Sequence, residues 1–187
     1  MKICIDAGHG MSNKQAGIYD PGATHVENGF KFEEATLTLR YALALKDVLR
    51  ARQVECFLTR DDATDHTPVQ NRAAMARKAG CTAFVSLHLN DYEDDAANGI
   101  EVLYGNKANE ALAQRLQSAL VQCTGMRDRK IKLRTDLAVL KFDGPAVLVE
   151  LGFIGNDADR GKLLDAQLRE AICACIAGVM ETAALPA

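Results

Sequence analysis

The chain opens with Met1-Lys2-Ile3-Cys4-Ile5-Asp6-Ala7-Gly8-His9-Gly10, and this stretch decides the fold. Its apolar part is short enough for one strand and stops at Gly-His-Gly, which indicates a buried central strand that delivers a histidine to a turn. Glycine has no Cβ, so the backbone turns sharply there and another group approaches His9 closely. We therefore interpret His9 as a metal ligand that Glu34, His88 and Glu150 join in space.

Short apolar runs alternate with helical patterns along the rest of the chain. The patterns predict further strands at 54–59, 83–88, 99–104, about 137–140 and 146–150, and helices at 34–51, 69–79, about 108–123, 157–164 and 166–184. A long polar loop is predicted at 11–31 and a basic link at 127–134. The alternation predicts an α/β fold, with 1–187 as a single domain of about six mostly parallel strands flanked by helices on both faces.

Three polar side chains stand where predicted central strands end. His9, His88 and Glu150 each follow a buried apolar run. In parallel sheets ligands bind beyond the carboxyl ends of the strands, so we expect these three side chains at one edge of the sheet. Two imidazoles and a carboxylate are suited to metal binding and proton transfer.

Glu34 has two interpretations. An acid in the first turn of a helix is favoured by the unpaired N–H groups and the helix dipole, which needs no ligand role. Alternatively, Glu34 completes a hydrolytic zinc site of two histidines and one glutamate with water in the open position. The remaining histidines, His25 and His66, lie in polar loops and are predicted to be solvated.

Glu150 also has two interpretations. It is either an acid at a strand edge paired with a base such as Arg72, or a carboxylate that the buried run 147–149 carries into a cleft. A carboxylate in a cleft tends to have a raised pKa, which suits a general base and acid. The residues alone leave both open, and the arrangement differs from His-Glu-x-x-His, where one helix supplies both histidines.

Composition narrows the possible partners. The 187 residues are 48% hydrophobic with a net charge of −3 and no basic stripe interleaved with aromatics, which argues against nucleic acid. We expect the six cysteines to be reduced core thiols. No run of about eighteen apolar residues indicates an integral membrane segment. The N-terminus does not resemble a secretory signal, so we expect synthesis in a cytoplasm.

Several motifs follow one another in a fixed order along the chain. The motifs are Asp6–Gly10, Asp20–Ala23, Glu34 at a helix start, Thr59-Arg60, Arg72, Ser86–Asn90, Gly99–Val102 and Pro145–Asn156. In this order they resemble one known family, the zinc-dependent N-acetylmuramoyl-L-alanine amidases of the LytC and AmiC type, also called Amidase_3. The resemblance covers nearly the whole chain, and the combination of motifs is highly specific although each motif alone is common.

The resemblance implies a ligand set and a catalytic residue. One zinc ion is bound by the residues that match the family's ligands, His9, Glu34 and His88, and Glu150 is the catalytic acid. Glu34 is preferred to its neighbour Glu33 because the apolar positions that follow the family's glutamate are matched from Glu34. Residues expected to position ligands or substrate are Asp6, Arg72 and Asn90. The stretch 11–19 is longer than usual for the family. We expect it to change the shape of the wall of the substrate groove relative to other members and to leave the zinc ligands unaffected.

The implied activity is a peptidoglycan hydrolase that cleaves the amide between N-acetylmuramic acid and L-alanine of the stem peptide. The alternatives are a zinc peptidase or deacetylase acting on wall peptide or sugar, and a noncatalytic wall-binding module, which ought to have lost one of the four groups. We expect a monomer. Some relatives carry an inserted segment that blocks the substrate groove until a partner protein removes it, whereas residues 103–137 here are predicted to form one helix and a short basic link. We therefore expect an enzyme that needs no activator. Because we expect neither an export signal nor a separate wall-binding module, the chain resembles a phage or prophage lysis enzyme, which reaches the cell wall through a membrane lesion.

Overall fold

The computed structural model describes residues 1–184. These residues form eight strands and five helices. The strands are β1 (Lys2–Ala7), β2 (Thr24–Glu27), β3 (Phe30–Glu33), β4 (Glu55–Leu58), β5 (Ala83–Asn90), β6 (Ile100–Tyr104), β7 (Asp128–Leu133) and β8 (Ala146–Phe153). The helices are α1 (Glu34–Ala51), α2 (Arg72–Lys78), α3 (Glu110–Thr124), α4 (Asp157–Leu164) and α5 (Ala166–Ala184).

Six strands form one sheet in the order β4-β1-β5-β8-β6-β7. β1 pairs in parallel with β4 and β5, β5 with β8, and β6 with β7, whereas β6 and β8 run antiparallel. The sheet is therefore mostly parallel, with the single antiparallel step next to the strand that carries Glu150. The predicted single α/β domain with a six-stranded sheet is confirmed.

Apolar side chains cover the two faces of the sheet unequally. The larger core cluster packs α1, α3 and α5 against one face, with residues such as Leu45, Leu116 and Ile176 fully or almost fully buried. The smaller cluster packs α2 and a single 3₁₀ turn against the other face, around Phe84 and Leu148. Toward the carboxyl ends of β5 and β8 the residues that continue this second face are polar, which leaves room there for a site.

Two short stretches differ from the sequence prediction. Residues 128–133 form edge strand β7 rather than a basic link, and 138–140 form a 3₁₀ turn rather than a strand. Charged side chains are common on edge strands, where they discourage further pairing, so the strand pattern of β7 is hidden by its lysines and arginine. An apolar run as short as 138–140 does not distinguish strand from helix by periodicity, and Val139 and Leu140 are buried equally well from a turn.

Three further features also differ from the sequence prediction. The polar stretch predicted as loop contains the β2–β3 hairpin, which precedes α1 directly. β8 continues to Phe153, beyond the predicted end at residue 150. In α2 the regular helix begins only at Arg72, after a 3₁₀ turn at Val69–Asn71. None of these changes moves the strand ends that carry His9, His88 and Glu150 away from one edge.

The described part of the chain shows no helix that is both long and apolar enough to cross a membrane. The six cysteines of the described residues form no disulfide bond with one another. Two of them, Cys4 and Cys173, are fully buried. The residues 185–187 of the predicted domain lie outside the described residues.

Candidate metal centre and active site

The structure brings His9, Glu34 and His88 together. His9 follows β1, Glu34 is the first residue of α1, and His88 lies near the end of β5. Nε2 of His9 lies 3.0 Å from Oε2 of Glu34, and Nδ1 of His88 lies 2.9 Å from Oε1 of the same carboxylate. One donor atom from each residue falls within 4.8 Å of the others, so the three side chains could hold a metal ion.

The carboxylate of Glu34 faces the histidines and not the start of its own helix. It is almost fully buried and accepts backbone N–H bonds from Ala23 at 2.8 Å and from Leu89 at 2.9 Å. Neither donor belongs to the first turn of α1, so capping of this helix does not explain the position of the carboxylate. Glu33 points elsewhere, toward Lys31 and Tyr19. Two imidazoles and one fixed carboxylate are a donor set that fits zinc with an open position.

Two glycines allow these side chains to approach. A Cβ on Gly8 would lie 2.5 Å from Cε1 of His88, which is closer than real Cβ atoms come to other heavy atoms. A Cβ on Gly22 would lie 2.5 Å from Oε2 of Glu34 and 2.7 Å from the His9 ring, and Gly22 also has a φ of +67°. Gly8, which precedes His9 in the chain, thus leaves space for the ring of His88. Gly22, from the loop after β1, leaves space for the ring of His9 and the carboxylate of Glu34.

Asp20 orients the imidazole of His9. Its Oδ2 lies 2.8 Å from Nδ1 of His9 and also accepts a bond from Ser12 at 2.9 Å. With Nδ1 held as the donor to Asp20, Nε2 faces Glu34 and is the nitrogen that a metal would use. From the sequence Asp20 was known only as the first residue of the motif Asp20–Ala23, and its contact with His9 was not predicted.

The pKa values show how tightly the three groups are coupled. Burial lowers the pKa of His9, but hydrogen bonds and charge from Glu34 and Asp20 outweigh burial and raise it to about 9. The same balance raises the pKa of His88, through Glu34. Burial raises the pKa of Glu34, but both histidines outweigh burial and hold it well below its usual 4.5. Before metal arrives, protons on the histidines balance the buried carboxylate, and a cation would replace them.

Glu150 lies beside this cluster. It is opposite His88 in the β5–β8 register and opposite Glu101 in the β6–β8 register. Its Oε2 is shielded from solvent, and the described residues provide it with no hydrogen-bond partner. Burial raises the pKa of Glu150 to about 7, and charges on Glu34 and Glu101 add to the rise against the opposing effect of His88. An unpartnered buried carboxylate oxygen with this pKa is suited to exchanging a proton near neutral pH.

Arg72 pairs with Asp6 and not with Glu150, so the pairing considered for Glu150 is wrong. Nη1 of Arg72 lies 3.0 Å from Oδ1 of Asp6, and both side chains are buried. Arg72 also donates to the backbone oxygens of Ala7 at 2.7 Å and His9 at 2.6 Å. The pair therefore holds the backbone that presents His9. The positioning role of Asp6 and Arg72 remains a prediction. These contacts would allow the pair to act on the site by fixing the backbone of His9.

Arg60 supports the same turn from the other side. Its guanidinium is buried and donates to the backbone oxygens of Ala7 at 3.0 Å, Gly8 at 2.8 Å and Ala35 at 2.7 Å. It thereby ties the His9 turn to the first turn of α1, which carries Glu34. From the sequence Arg60 was known only as part of the motif Thr59-Arg60, and no role was predicted for it.

Asn90 does not reach the His-Glu-His cluster through any hydrogen bond of its side chain. Its Nδ2 donates to Oε1 of Glu101 at 3.1 Å. Glu101 in turn accepts from Arg129 at 2.9 Å and Lys132 at 2.6 Å on its other oxygen. A polar row therefore continues from His88 and Glu150 across β6 to the edge strand β7. Its β6 member, Glu101, lies in the motif Gly99–Val102, whereas no sequence signal marked Arg129 and Lys132 of β7.

A cavity of about 160 Å³ opens beside His9 and His88. Its wall is largely apolar, with Asp20, Ser12 and Arg72 as polar members. The apolar lining residues are Val69, Leu137, Ala138, Val139 and Leu148. The run 137–140, which was predicted as a strand and forms a 3₁₀ turn at 138–140, thus lines the candidate site.

Residues 3–182 match the family model described as N-acetylmuramoyl-L-alanine amidase. The chain belongs to the Amidase_3 family. Its similarity to the N-acetylmuramoyl-L-alanine amidase CwlM of Mycobacterium tuberculosis is 31% identity over 186 residues, covering 91% of this chain and 45% of CwlM. LytC of Bacillus subtilis is 31% identical over 172 residues, covering 90% of this chain and 32% of LytC. The chain thus spans half or less of these relatives.

A solved structure of the family matches over the whole fold. The catalytic domain of CwlV, an N-acetylmuramoyl-L-alanine amidase from Bacillus (Paenibacillus) polymyxa var. colistinus, superposes with a TM-score of 0.85 at 29% identity. The match covers 97% of this chain and 96% of that domain. The Amidase_3 domain described here therefore corresponds over nearly its whole length to the catalytic domain of CwlV.

Proposed function

We propose that this Amidase_3 domain hydrolyses the amide bond between N-acetylmuramic acid and the L-alanine of the stem peptide in peptidoglycan. The observation that carries the proposal is the buried, unpartnered Oε2 of Glu150 beside the cluster of His9, Glu34 and His88. Family membership supplies the substrate class, and the site supplies the groups that amide hydrolysis needs. The proposed catalytic unit is the single domain 1–187.

His9, Glu34 and His88 are the proposed ligands of one zinc ion. Bound there, zinc would supply a Lewis acid for the amide carbonyl oxygen and for the attacking water. The protein's part is to hold the donor atoms in place. Asp20 fixes the ring of His9, and the N–H groups of Ala23 and Leu89 fix the carboxylate of Glu34.

Glu150 is the proposed proton carrier. Its carboxylate accepts a proton from the attacking water and returns that proton to the departing nitrogen of L-alanine, because an amine leaves poorly unless it is protonated. A pKa of about 7 suits both halves of this exchange, since the group is neither a very weak base nor a very weak acid at neutral pH. The shielding of Oε2 from water strengthens its interactions with the reacting atoms.

The residues around the centre have positioning roles in this proposal. Asp6 and Arg72 hold the turn that carries His9, and Asn90 holds Glu101 beside Glu150. The apolar cavity beside the two histidines gives the acyl side of the substrate a wall that excludes water. A monomer suffices, because all four central groups come from one chain.

The decisive experiment identifies the bond that is cut. The purified, zinc-loaded chain is incubated alone with murein sacculi, and the new end groups are determined by mass spectrometry. The proposal expects a lactyl carboxylate together with a free L-alanine amine. A new amine within the peptide would indicate a peptidase, and a free sugar amine a deacetylase. Release of neither product by a zinc-loaded, folded chain would contradict the proposal.

The same experiment tests independence from a partner. Between β6 and β8 the described chain forms α3, β7 and two short 3₁₀ turns, which supports an enzyme that is active without an activator. Activity that appears only after another protein is added would contradict this part. Size-exclusion chromatography with light scattering measures the molar mass of the protein and tests whether it is a monomer. The setting of a phage or prophage lysis enzyme stays a prediction, for which the neighbourhood of the coding gene is the test.

A further inference from the structure

Two cations of β7 meet one buried carboxylate next to the proposed catalytic residue. Oε2 of Glu101 lies 2.9 Å from Nε of Arg129 and 2.6 Å from Nζ of Lys132. Glu101 is nearly fully buried, whereas the side chains of Arg129 and Lys132 are 26% and 45% exposed. One carboxylate balances only one of the two cations, so this group carries a net positive charge that faces solvent beside Glu150.

The guanidinium of Arg129 is held in a fixed orientation. It lies over the ring of Phe153, 4.6 Å from the ring centre, and Nη1 donates to the backbone oxygen of Asn98 at 3.4 Å. Among the described residues no hydrogen-bond partner is found for its Nη2. Lys132 makes one hydrogen bond, to Glu101, and retains two N–H donors. Both cations therefore keep donors for a further anionic group.

We propose that Arg129 and Lys132 form a subsite for a free carboxylate of the stem peptide, on the second or third residue after the bond that is cut. This inference rests on the proposed function, because it takes the scissile bond to lie at Glu150. β7 is two strands away from β8, which is about 10 Å at the usual strand spacing. An extended peptide covers about 3.4 Å per residue, so two or three residues span that distance.

Charge complementarity decides which part of the substrate faces β7. The N-acetylated sugars are neutral amides and hydroxyls, whereas the peptide stem contains carboxylates. On the opposite side of the centre the charged residues that line the cavity with His9 are Asp20, an anion, and Arg72, which already pairs with Asp6, so that side offers a carboxylate no unpaired cation. The peptide side is therefore placed over β6 and β7, and the acyl side over the apolar cavity near His9.

The test compares three soluble peptides that begin with L-alanyl-γ-D-glutamyl-L-lysine. In the first the glutamyl α-carboxylate alone is free, in the second only the carboxyl end of the third residue is free, and in the third both are amidated. Calorimetry gives each Kd with the zinc-loaded protein, and the N-acetylmuramoyl derivatives give KM and kcat. We expect at least one free carboxylate to tighten binding and lower KM about tenfold relative to the double amide, and the first two peptides show which carboxylate is used.

Lys132→Gln is the test variant, because it removes one cation and leaves Glu101 paired with Arg129. It should abolish most of the preference for the carboxylate, so that the Kd and KM of the free-carboxylate peptides approach those of the double amide. Lys130→Gln is the matched control: Lys130 lies on the same strand, is exposed and pairs with Asp128, so the same loss of charge should leave the preference intact.

Equal affinity of the wild-type protein for all three peptides, or equal effects of the two lysine variants, would overturn the subsite. These outcomes are separate from failure of the proposed function. Hydrolysis without any carboxylate preference would refute the subsite and leave the amidase activity standing. Carboxylate-dependent binding that Lys132→Gln abolishes, without hydrolysis of any derivative, would support the subsite and refute the activity.

Discussion

The carboxylate of Asp20 lies 2.8 Å from Nδ1 of His9 and fixes which ring nitrogen faces Glu34. Outer carboxylates of this kind orient histidine ligands, and their loss typically costs 10- to 100-fold in metal affinity. We therefore expect Asp20→Asn to weaken zinc binding by roughly tenfold or more. Competition with a chromogenic chelator measures the affinity.

Ser12→Ala is the control for this prediction. Ser12 donates to the same oxygen of Asp20, but its loss leaves the contact between Asp20 and His9 in place. A smaller change in zinc affinity is expected from Ser12→Ala than from Asp20→Asn. Unchanged zinc affinity in Asp20→Asn would show that the position of His9 does not depend on this carboxylate.

Two adjacent glutamates allow a matched test of the metal ligand. Glu34→Gln removes the charge between the two histidines, whereas Glu33→Gln removes a charge that pairs with Lys31. We expect the purified Glu34→Gln protein to contain little zinc and the Glu33→Gln protein to contain about one ion per chain. Chelation should lower the Tm of wild type and of Glu33→Gln, because bound metal stabilises only the folded state, but not the Tm of Glu34→Gln. Equal zinc contents would remove Glu34 from the ligand set.

Glu150→Gln separates chemistry from metal binding. The amide keeps the size of the side chain but does not carry the proton, so we expect kcat to fall by about 10²- to 10⁴-fold. Zinc content, circular dichroism and Tm should stay close to wild type, since Glu150 is not a proposed ligand. The measurement is turnover of a soluble N-acetylmuramoyl peptide together with metal analysis of the same preparation. Retained turnover would exclude Glu150 as the proton carrier.

The strand ends were the part of the site that the sequence could predict. His9, His88 and Glu150 follow buried apolar runs, and parallel sheets bring such ends to one edge whatever the loops do. Glu34 needed the resemblance to the amidase family, because an acid at a helix start has an ordinary explanation without it. The geometry places the carboxylate of Glu34 and not that of Glu33 against the histidines, because Glu33 is the last residue of β3 and Glu34 the first residue of α1.

Contacts between distant residues were beyond the sequence. Glu101 and Arg129 are separated by 28 residues, and their pairing depends on β7 being a strand, which its charges concealed. Arg60 meets Ala7 across 53 residues and Arg72 meets Asp6 across 66, and no local pattern marks a buried arginine of this kind. Such residues hold the catalytic groups in place, and their partners are determined by tertiary packing and not by any local sequence pattern.

Asp6→Asn should destabilise the fold in a pH-dependent way. The substitution leaves Arg72 as an unpaired buried charge, which typically costs about 3–5 kcal/mol. Burial raises the pKa of Asp6, but Arg72, Ser86 and Thr59 outweigh burial and lower it from 3.8. The stabilisation by a lowered carboxyl pKa is present above about pH 3.8 and is lost as the pH falls through the folded value.

Urea unfolding of Asp6→Asn at several pH values provides the measurement. The difference in free energy of unfolding from wild type should be largest near pH 7. It should narrow as the pH falls below 3.8 toward the lower folded pKa of Asp6, where the folded carboxylate also takes up a proton. Asp136→Asn is the control, because Asp136 pairs with Arg134 at the exposed surface and its loss should change stability little. A constant difference across the pH range would contradict the assigned ion pair.

Gly8→Ala tests the close packing at the centre itself. The added methyl group would meet the His88 ring at 2.5 Å, so the imidazole must move away from Glu34. Ligand geometry tolerates little displacement, and we expect loss of zinc and of activity in a chain that still folds. Gly161→Ala is the matched control, since nothing lies within 4 Å of a Cβ there and alanine suits the interior of α4. Full zinc content in Gly8→Ala would show that His88 is free to shift and still bind, which would contradict a preorganised site.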